Sequence, residues 1–418
     1  MPAHNITRLA NISLRGMTLA SKFLLIFFLA RFLEPAELGL YGLLVATIGY
    51  ALYLLGLDFY TFTTREILKR ERSEWGGLLK AQGALALLLY AAFMPLLLLI
   101  FSTDSLPWTV AGWFFALLIL EHLNQELMRL LIAISEPLLA SLVLFLRSGI
   151  WAIAVTVWMF VTPETRNLDA VLLAWALGGL SAFLLAVWRL YRLKIGGWWK
   201  RIDWAWIRKG INIALPLLIA TLALRGLFTL DRYWLEALAG LEVLGVYVLF
   251  MGIANAMMSF LDAGVFAFSY PGLISAFQKQ STDAFRQGVK RLFIQTTGFS
   301  LIFAVMALLL IGPLLDWLDK PLYREQQGMF PWILMVAVLY ALSMIPHYAL
   351  YAQDQDRPII RSHIVSLTVF IPATWLFSKQ WPHIAIPLGL CVAFFLILLW
   401  KSLAYFRLTP VQYRLLQP

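Results

Sequence analysis

The stretch RLYRLKIGGWWKRIDWAWIRK, from Arg189 to Lys209, lies near the middle of the chain with long apolar segments on both sides. It contains seven basic residues, and its single carboxylate is Asp203. Short basic segments between apolar ones are typical of membrane proteins, in which the loops rich in Lys and Arg stay on the cytoplasmic side. We therefore predict a cytoplasmic linker over residues 189–209 that joins two membrane-embedded halves, residues 1–188 and 210–418.

The second part of this linker has a helical spacing of apolar residues. Trp198, Ile202 and Trp206 recur every four residues, and the basic residues of the segment lie largely on the other face. A helix with this pattern lies on the membrane surface, with Trp at the interface and its basic face toward anionic headgroups. The spacing predicts a short interfacial helix, and the alternative is a solvated basic loop.

The composition of the chain also requires a membrane. Of the 418 residues, 61% are hydrophobic and 13% are charged, whereas soluble domains carry about 25% charged residues. Apolar surface in this excess must face lipid. The net charge of +10 resides in loops between apolar segments, and we expect no nucleic-acid partner because no soluble module is available to bind one. The single cysteine, Cys391, cannot form an intrachain disulfide.

Twelve segments are apolar enough and long enough to span a bilayer as helices, which takes about 20 residues each. We predict them at residues 12–33, 38–62, 79–101, 108–133, 137–161, 168–188, 211–231, 242–268, 290–312, 329–351, 358–378 and 382–405. The Lys and Arg residues fall mostly in alternate loops, which predicts that both termini are cytoplasmic. The fold class is therefore an all-α integral membrane protein with two six-helix bundles.

The two halves share a short sequence similarity. LGLYGLL (Leu38–Leu44) in the second predicted helix is similar to LGVYVLF (Leu244–Phe250) in the eighth. Each segment is followed in its helix by a carboxylate, Asp58 or Asp262. An even number of helices per half gives both halves the same orientation, so this similarity predicts a repeat about a pseudo-two-fold axis along the membrane normal.

Several ionisable residues fall inside the predicted helices, where a charge costs about 2.5–3.5 kcal/mol and normally faces a partner or a wet cavity. The cations are Arg15, Lys22, Arg147 and Arg225, and the carboxylates are Asp58, Glu121, Glu126 and Asp262. Lys22 and Arg225 each come from the first helix of a half. We predict that these cations line a cavity between the halves, which suits a phosphate or diphosphate group.

Other roles remain open for several of these residues. Arg15 is equally well explained as a cytoplasmic anchor, and Arg147 as the partner of Glu121 or Glu126 in a structural ion pair. The four carboxylates are candidates for coupling transport to an ion or for pairing with nearby Arg residues. The chain has no metal-ligand spacing, phosphate loop or catalytic motif, so we expect no metal, no cofactor and no enzymatic activity.

Four segments resemble one known family. They are LARFLEPAELGLYGLL (Leu29–Leu44), GLDFYTFTTREIL (Gly56–Leu68), NIALPLLIATL (Asn212–Leu222) and LDRYWLEALAGLEVLGVY (Leu230–Tyr247). The sequence resembles the polysaccharide flippases of the multidrug/oligosaccharidyl-lipid/polysaccharide exporter superfamily, which include O-antigen flippases. The resemblance implies a central cavity lined by the first, second, seventh and eighth helices, and alternating access by rocking of the two lobes.

The function that the resemblance implies is transport for cell-surface polysaccharide or lipopolysaccharide synthesis. An undecaprenyl-diphosphate-linked oligosaccharide would move from the inner to the outer leaflet of the bacterial inner membrane. The expected partners are this lipid, membrane lipids and other polysaccharide-assembly proteins. The first alternative is a multidrug/cation antiporter of the same superfamily, although cationic drugs favour a cavity rich in carboxylates. The second is an integral-membrane glycosyltransferase or polymerase, for which the short outer loops offer no catalytic carboxylates. A third, a non-transporting scaffold, leaves the deep cations unexplained.

Overall fold

The computed structural model describes residues 2–415, with side chains described from residue 9 onward except at residue 217. All regular secondary structure in this range is helical. The chain divides into two compact units, the first ending at Leu218 and the second beginning at Ile219.

The first unit contains six membrane-spanning segments. Its helices are α1 (Pro2–Phe32), α2 (Pro35–Gly56), α3 (Tyr60–Leu68), α4 (Trp75–Ser102), α5 (Ala111–Ala133), α6 (Pro137–Phe145), α7 (Trp151–Val161) and α8 (Leu168–Arg192). A π-helical turn, Leu146–Ile150, joins α6 to α7 within one span. Local sequence fixes the helix starts: Pro35 opens α2 behind a capping box of Glu34 and Glu37, and the Asn167 side chain caps α8.

The second predicted span, residues 38–62, is not one continuous helix. Helix α2 ends at Gly56, and Leu57 and Asp58 follow with left-handed φ angles of 49° and 50°. A left-handed residue ends an α-helix because it turns the next peptide out of the helical path. Helix α3 then begins at Tyr60. Asp58 therefore lies at a helix break in the first unit, and not inside a helix as predicted.

Residues 193–203 of the linker contain turns but no helix, so the interfacial helix predicted through Trp198 and Ile202 is wrong. Two backbone hydrogen bonds hold this segment against the loop before α4. The Gly76 N–H donates to the Gly196 carbonyl at 2.8 Å, and the Gly196 N–H donates to the Arg72 carbonyl at 3.2 Å. Gly197 has a φ of 89°, which favours glycine. Backbone groups committed to this pairing cannot form helical hydrogen bonds.

Side chains reinforce the contact between the linker and the residues that precede and open α4. The Lys200 ammonium donates to a Glu74 carboxylate oxygen at 2.5 Å, and the Lys80 ammonium donates to the Lys200 carbonyl at 3.2 Å. A Cβ atom on Gly76 would lie 2.5 Å from the Gly196 carbonyl oxygen, so the approach requires glycine. We call the contact of residues 193–200 with residues 72–80 the linker clamp.

Helix α9 (Trp204–Leu261) follows the linker directly. The Asp203 carboxylate caps it by accepting from the Trp206 N–H at 2.9 Å. The Trp206 ring packs against Phe59 and Phe62, with ring centroids 5.3 and 5.0 Å apart. The boundary between the two units falls inside α9, after Leu218. The sequence analysis had placed the end of the linker earlier, at residue 209.

The second unit begins within α9, which is interrupted at Gly240, where φ is 83°. It continues with a π-helical turn, Asp262–Phe266, followed by α10 (Ala267–Gln278), α11 (Thr282–Leu318), α12 (Pro321–Glu325), α13 (Phe330–Tyr351), α14 (Asp356–Ser378) and α15 (Ala385–Leu408). Within residues 9–415, ten stretches are long and apolar enough to cross a membrane. One of them, Leu218–Gln278, spans 61 residues and is divided at Gly240.

Because the stretch divided at Gly240 provides two spans, these ten stretches correspond to eleven spans. Helix α5 is the twelfth, and its charged residues are the reason that it is not among the ten apolar stretches. The predicted fold class is confirmed: the chain is an all-α membrane protein with twelve spanning helices in two bundles. Helix α14 runs through Pro372 without a break, as membrane-spanning helices tolerate proline.

Candidate functional site

A buried ion pair lies inside the first unit, between α5 and the π-helical turn. The Arg147 Nε donates to a Glu121 carboxylate oxygen (Oε2) at 2.6 Å, and its Nη2 donates to the same oxygen. The Trp175 indole N–H of α8 donates to the second oxygen (Oε1) at 2.7 Å. Glu121 is 7% exposed and Arg147 is 9% exposed. Both oxygens of this carboxylate are therefore already in use.

Two features of the local backbone bring these groups together. A π-helical turn carries Arg147, and such turns often occur at functional sites. Gly178 lets α8 approach closely, since a Cβ atom there would lie 2.7 Å from the Trp151 side chain. The Trp151 and Trp175 rings stack with centroids 6.0 Å apart. Helix packing thus holds the indole N–H against Glu121.

Lys22 of α1 lies within electrostatic range of both members of this pair, Arg147 and Glu121. Its side chain is exposed, and no carboxylate oxygen of the described residues lies within ion-pair distance of its ammonium. We call Lys22, Glu121, Arg147 and Trp175 the Glu121 cluster. The exposed member of this cluster is the Lys22 cation, whereas its carboxylate, Glu121, is buried.

Arg15, two helical turns before Lys22, is also exposed. Its Nε donates to the Ser141 hydroxyl of α6 at 3.0 Å, and that hydroxyl in turn donates to the Asn11 side chain. These contacts orient Arg15 along the surface of α6 without neutralising its charge. Both predicted cations of α1 therefore remain accessible charges.

A second polar group lies on the opposite side of α5. The Glu126 carboxylate accepts from the Gln82 amide at 2.6 Å and from the Arg129 guanidinium at 2.7 Å. The guanidinium carbon lies 3.6 Å from the ring centroid of Tyr60, and Asp58 is within electrostatic range of Glu126. We call Asp58, Gln82, Glu126 and Arg129 the Glu126 cluster. The alternative pairing of Arg147 with Glu126 is therefore wrong.

The Glu126 cluster opens onto a cavity of about 260 Å³ within the first unit. Its polar lining includes Gln82, His122, Glu126 and Arg129, and the rest of its wall is mostly apolar. His122 is held by Tyr90, whose hydroxyl lies 2.7 Å from the imidazole Nδ1. The cavity places a carboxylate, a guanidinium and an imidazole on one wall.

In the second unit, Arg225 and Asp262 are within electrostatic range of one another, and both side chains are exposed. Asp262 opens the π-helical turn at the end of the span that begins after Gly240. Each unit therefore places the carboxylate that follows its second span at a helix irregularity, Asp58 at a left-handed break and Asp262 at a π turn.

Of the predicted site residues, the structure brings Glu121, Arg147 and Lys22 together in one cluster, and Asp58 with Glu126 in another. Arg147 is buried and pairs with Glu121. It therefore does not offer the accessible positive charge that was predicted for it as part of a cationic cavity. The sequence did not identify Trp175, Gln82 or Arg129 as site residues. For Arg129 a signal was available, since Glu126 and Arg129 are three residues apart on one helix, a spacing that predicts an ion pair.

Lys401 lies near the end of the predicted span 382–405 and was not among the predicted site residues. It lies inside α15 and is 0% exposed. Its ammonium nitrogen is 3.2 Å from the His347 Nδ1 of α13. The apolar runs on both sides of Lys401, LILLW before it and SLAYF after it, were the available signal that this lysine is an intramembrane charge.

Similarity to known proteins is found at the level of the three-dimensional structure. No family model matches the chain, and no curated protein matches it either. Its structure is similar to one described as the inward-facing conformation of a multidrug resistance MATE family transporter of the MOP superfamily, with a TM-score of 0.75 and 12% identity over 96% of this chain and 98% of the other.

Two further solved structures are similar along their whole length. A MOP superfamily transporter from Pyrococcus furiosus, described as having a binding pocket of reverse polarity that suggests a different function, has a TM-score of 0.60 and 14% identity over 97% of this chain and 95% of its own. A MATE transporter from Vibrio cholerae has a TM-score of 0.52 and 14% identity over 99% and 100%. The chain therefore has the fold of the MATE transporters of the MOP superfamily.

Proposed function

We propose that this protein is a flippase for a lipid-diphosphate-linked oligosaccharide, which it moves from the inner to the outer leaflet of a bacterial cytoplasmic membrane for cell-surface polysaccharide synthesis. The undecaprenyl tail remains in lipid while the charged headgroup passes through the protein by alternating access. The fold is that of transporters, and the chemistry of the intramembrane charges selects the anionic headgroup as cargo.

The observation that carries the proposal is the state of Lys22. Its side chain is accessible, while the carboxylate in its electrostatic range, Glu121, is buried and bound through both oxygens. A charge at this depth is costly unless it serves a partner. Since no ion-pair partner of Lys22 lies among the described residues, a phosphate from outside the chain supplies the missing countercharge.

Arg15 and Arg225 support the same conclusion from separate helices. Both side chains are exposed, and a guanidinium binds phosphate oxygens through paired hydrogen bonds. In the first unit the carboxylates are less accessible than Arg15 and Lys22, because Glu121 is buried, Glu126 is bound by Arg129 and Gln82, and Asp58 is half-buried. The most exposed intramembrane charges of that unit are therefore cationic.

The second candidate function is export of cationic drugs. It is favoured by one observation, the similarity of the fold to a multidrug resistance transporter. A cation exporter would use Asp262 or the Glu126 cluster as its binding charge, with Arg129 displaced from Glu126. The experiment below distinguishes the two cargoes.

We expect the Lys22→Ala/Arg225→Ala variant to lose flipping activity. Each hydrogen bond to a charged group contributes roughly 1.5–3 kcal/mol, so each substitution should weaken headgroup binding by about tenfold or more. The purified chain is reconstituted into vesicles that contain a polyprenyl-diphosphate-linked N-acetylhexosamine. A membrane-impermeant lectin added outside then measures how quickly sugar from the inner leaflet becomes accessible.

The matched control is Arg324→Ala/Lys379→Ala, which removes the same two charge types from exposed positions in the short helix α12 and after α14 and should flip the lipid at the wild-type rate. Wild-type flipping by the Lys22/Arg225 variant would contradict the cationic headgroup site. Wild-type vesicles that expel ethidium but leave the lipid-linked sugar in place would replace the flippase with the drug exporter.

A further inference from the structure

Three helices of the second unit each contribute one nitrogen base to a common point in its interior. Lys401 of α15 lies with its ammonium nitrogen 3.2 Å from the His347 Nδ1 of α13. The His363 ring of α14 stacks on the His347 ring, with centroids 6.4 Å apart and planes inclined by 12°. Lys401 is 0% exposed and His363 is 5% exposed, whereas His347 is partly accessible.

This basic cluster contains no carboxylate. Among the described residues, no Asp or Glu oxygen lies within ion-pair distance of Lys401, and the helices packed on α15 present to it His347 from α13 and His363 from α14. The rings of Tyr348 and Tyr351 flank His347 on its own helix. The Ala220 carbonyl of α9 is the polar backbone group next to His363.

A permanently charged lysine in this position would be strongly unfavourable, because the ion would be buried without a countercharge. The short contact between the Lys401 amine and the His347 Nδ1 also limits the number of protons. One proton must lie between the two nitrogens to make a hydrogen bond, and two cations this close would repel. The nearby His363 ring opposes a further positive charge. The pair therefore has two favourable states, neutral and singly protonated.

We propose that Lys401, His347 and His363 form a proton-binding site in the second unit, which takes up and releases a single proton. A proton is the ligand that this site suits, because its three groups are nitrogen bases and no carboxylate lies among them to attract a metal cation. The partly accessible His347 ring is the route by which the proton reaches Lys401. The site is independent of the nature of the cargo, and it differs from the carboxylates that the sequence suggested for ion coupling.

The test is a proton titration of the full-length protein purified in detergent, comparing wild type with Lys401→Met. Wild type should bind one more proton than the variant, and this difference should develop between pH about 5 and 8, the range in which histidine-containing sites titrate. An exposed lysine of ordinary character titrates near pH 10.4. A difference that appears only above pH about 9 would therefore overturn the proposal.

Two further variants keep the result interpretable if Lys401→Met is poorly folded. His347→Gln retains the lysine but removes the ring that shares its proton, so the midpoint of the titration step should move by about one pH unit or more. An unchanged midpoint would exclude the shared proton. Lys379→Met, which removes an exposed lysine after α14, serves as the matched control and should leave the wild-type proton uptake between pH about 5 and 8 unchanged.

Discussion

Replacing Glu121 with Gln is expected to lower the free energy of unfolding of the first unit by about 3–5 kcal/mol, because it leaves a buried guanidinium without its countercharge. The Arg147 side chain is 9% exposed, and both of its donating nitrogens point at one Glu121 oxygen. The neutral amide has the same shape as the carboxylate, so the loss reports charge and not volume. Lys22 adds to the effect because its repulsion of Arg147 is no longer offset.

Thermal unfolding of the purified protein in detergent, followed by tryptophan fluorescence, measures this loss. The matched control is Asp316→Asn, which breaks the ion pair with Arg324 at a site where the two side chains are 70% and 52% exposed. Exposed pairs contribute about 0–1 kcal/mol, so this control should unfold at nearly the wild-type temperature. Equal shifts for Glu121→Gln and Asp316→Asn would contradict the assignment of a buried, structurally required pair.

The double variant Glu121→Gln/Arg147→Met refines the test. In this variant both members of the ion pair are removed, so no buried charge is left without a partner. Replacement of a buried pair by neutral side chains is often neutral or stabilising. We expect the double variant to be more stable than Glu121→Gln alone, with a coupling energy of about 0.5–3 kcal/mol. Simple addition of the two single effects would mean that the groups do not interact.

Gly76→Ala is expected to release the linker clamp. The new Cβ atom would lie 2.5 Å from the Gly196 carbonyl oxygen and 2.9 Å from the Trp198 backbone nitrogen, and backbone atoms cannot move aside as a flexible side chain can. The linker must shift, and the two backbone hydrogen bonds between the segments are lost together. At a net of about 0.5–1.5 kcal/mol each, their loss should raise the population of detached linker by about tenfold or more.

Limited trypsin digestion measures this population, since cleavage follows the fraction of open chain when closing is fast. Lys194, Lys200 and Arg201 are the cleavage sites in the non-helical part of the linker, residues 193–203, and cutting there yields two fragments of similar size. The control is Gly83→Ala in the same helix, where a Cβ atom would meet nothing within 4 Å. Digestion of Gly76→Ala at the control rate would contradict the close contact.

Acid should weaken the same clamp. The hydrogen bond and positive charge of Lys200 hold the pKa of Glu74 below its usual value. A carboxylate whose pKa is lowered by folding stabilises the folded state above its ordinary pKa and loses this contribution as the pH falls through the lowered value. The Glu74 contact is therefore intact at neutral pH and is lost as the pH falls through this lowered pKa.

The sequence predicted most of the fold because lipid imposes a simple rule. A run of about 20 apolar residues has few alternatives to a spanning helix, so the twelve spans could be located even where Pro372 or Glu121 interrupts the pattern. The break at Leu57 and Asp58 could not be predicted, since both residues are compatible with a helix and nothing in their identity requires the left-handed φ angles that they adopt.

Some members of the two charged clusters of the first unit were visible in the sequence for a similar reason. A charge in an apolar run is visible in the sequence, and Lys22, Arg147 and Glu121 were identified in this way. Which charges meet depends on how helices rotate about their axes, and the sequence left Glu121 and Glu126 as equal partners for Arg147. The prediction of a helix in the linker was wrong because a four-residue spacing carries no information about contacts distant in sequence. The backbone of Gly196 instead pairs with residues more than a hundred positions earlier, Arg72 and Gly76.

The linker clamp also determines where this chain tolerates additions. A central loop is the natural place to insert an affinity tag or a fluorescent domain, or to divide a two-lobed protein into separately expressed pieces. Tolerance depends on the burial and hydrogen bonding of the backbone, not on its position in the sequence. Here the backbone around Gly196 is bonded to Arg72 and Gly76, so an insertion would displace it. The exposed turn at Gln380 is the better choice for a reporter.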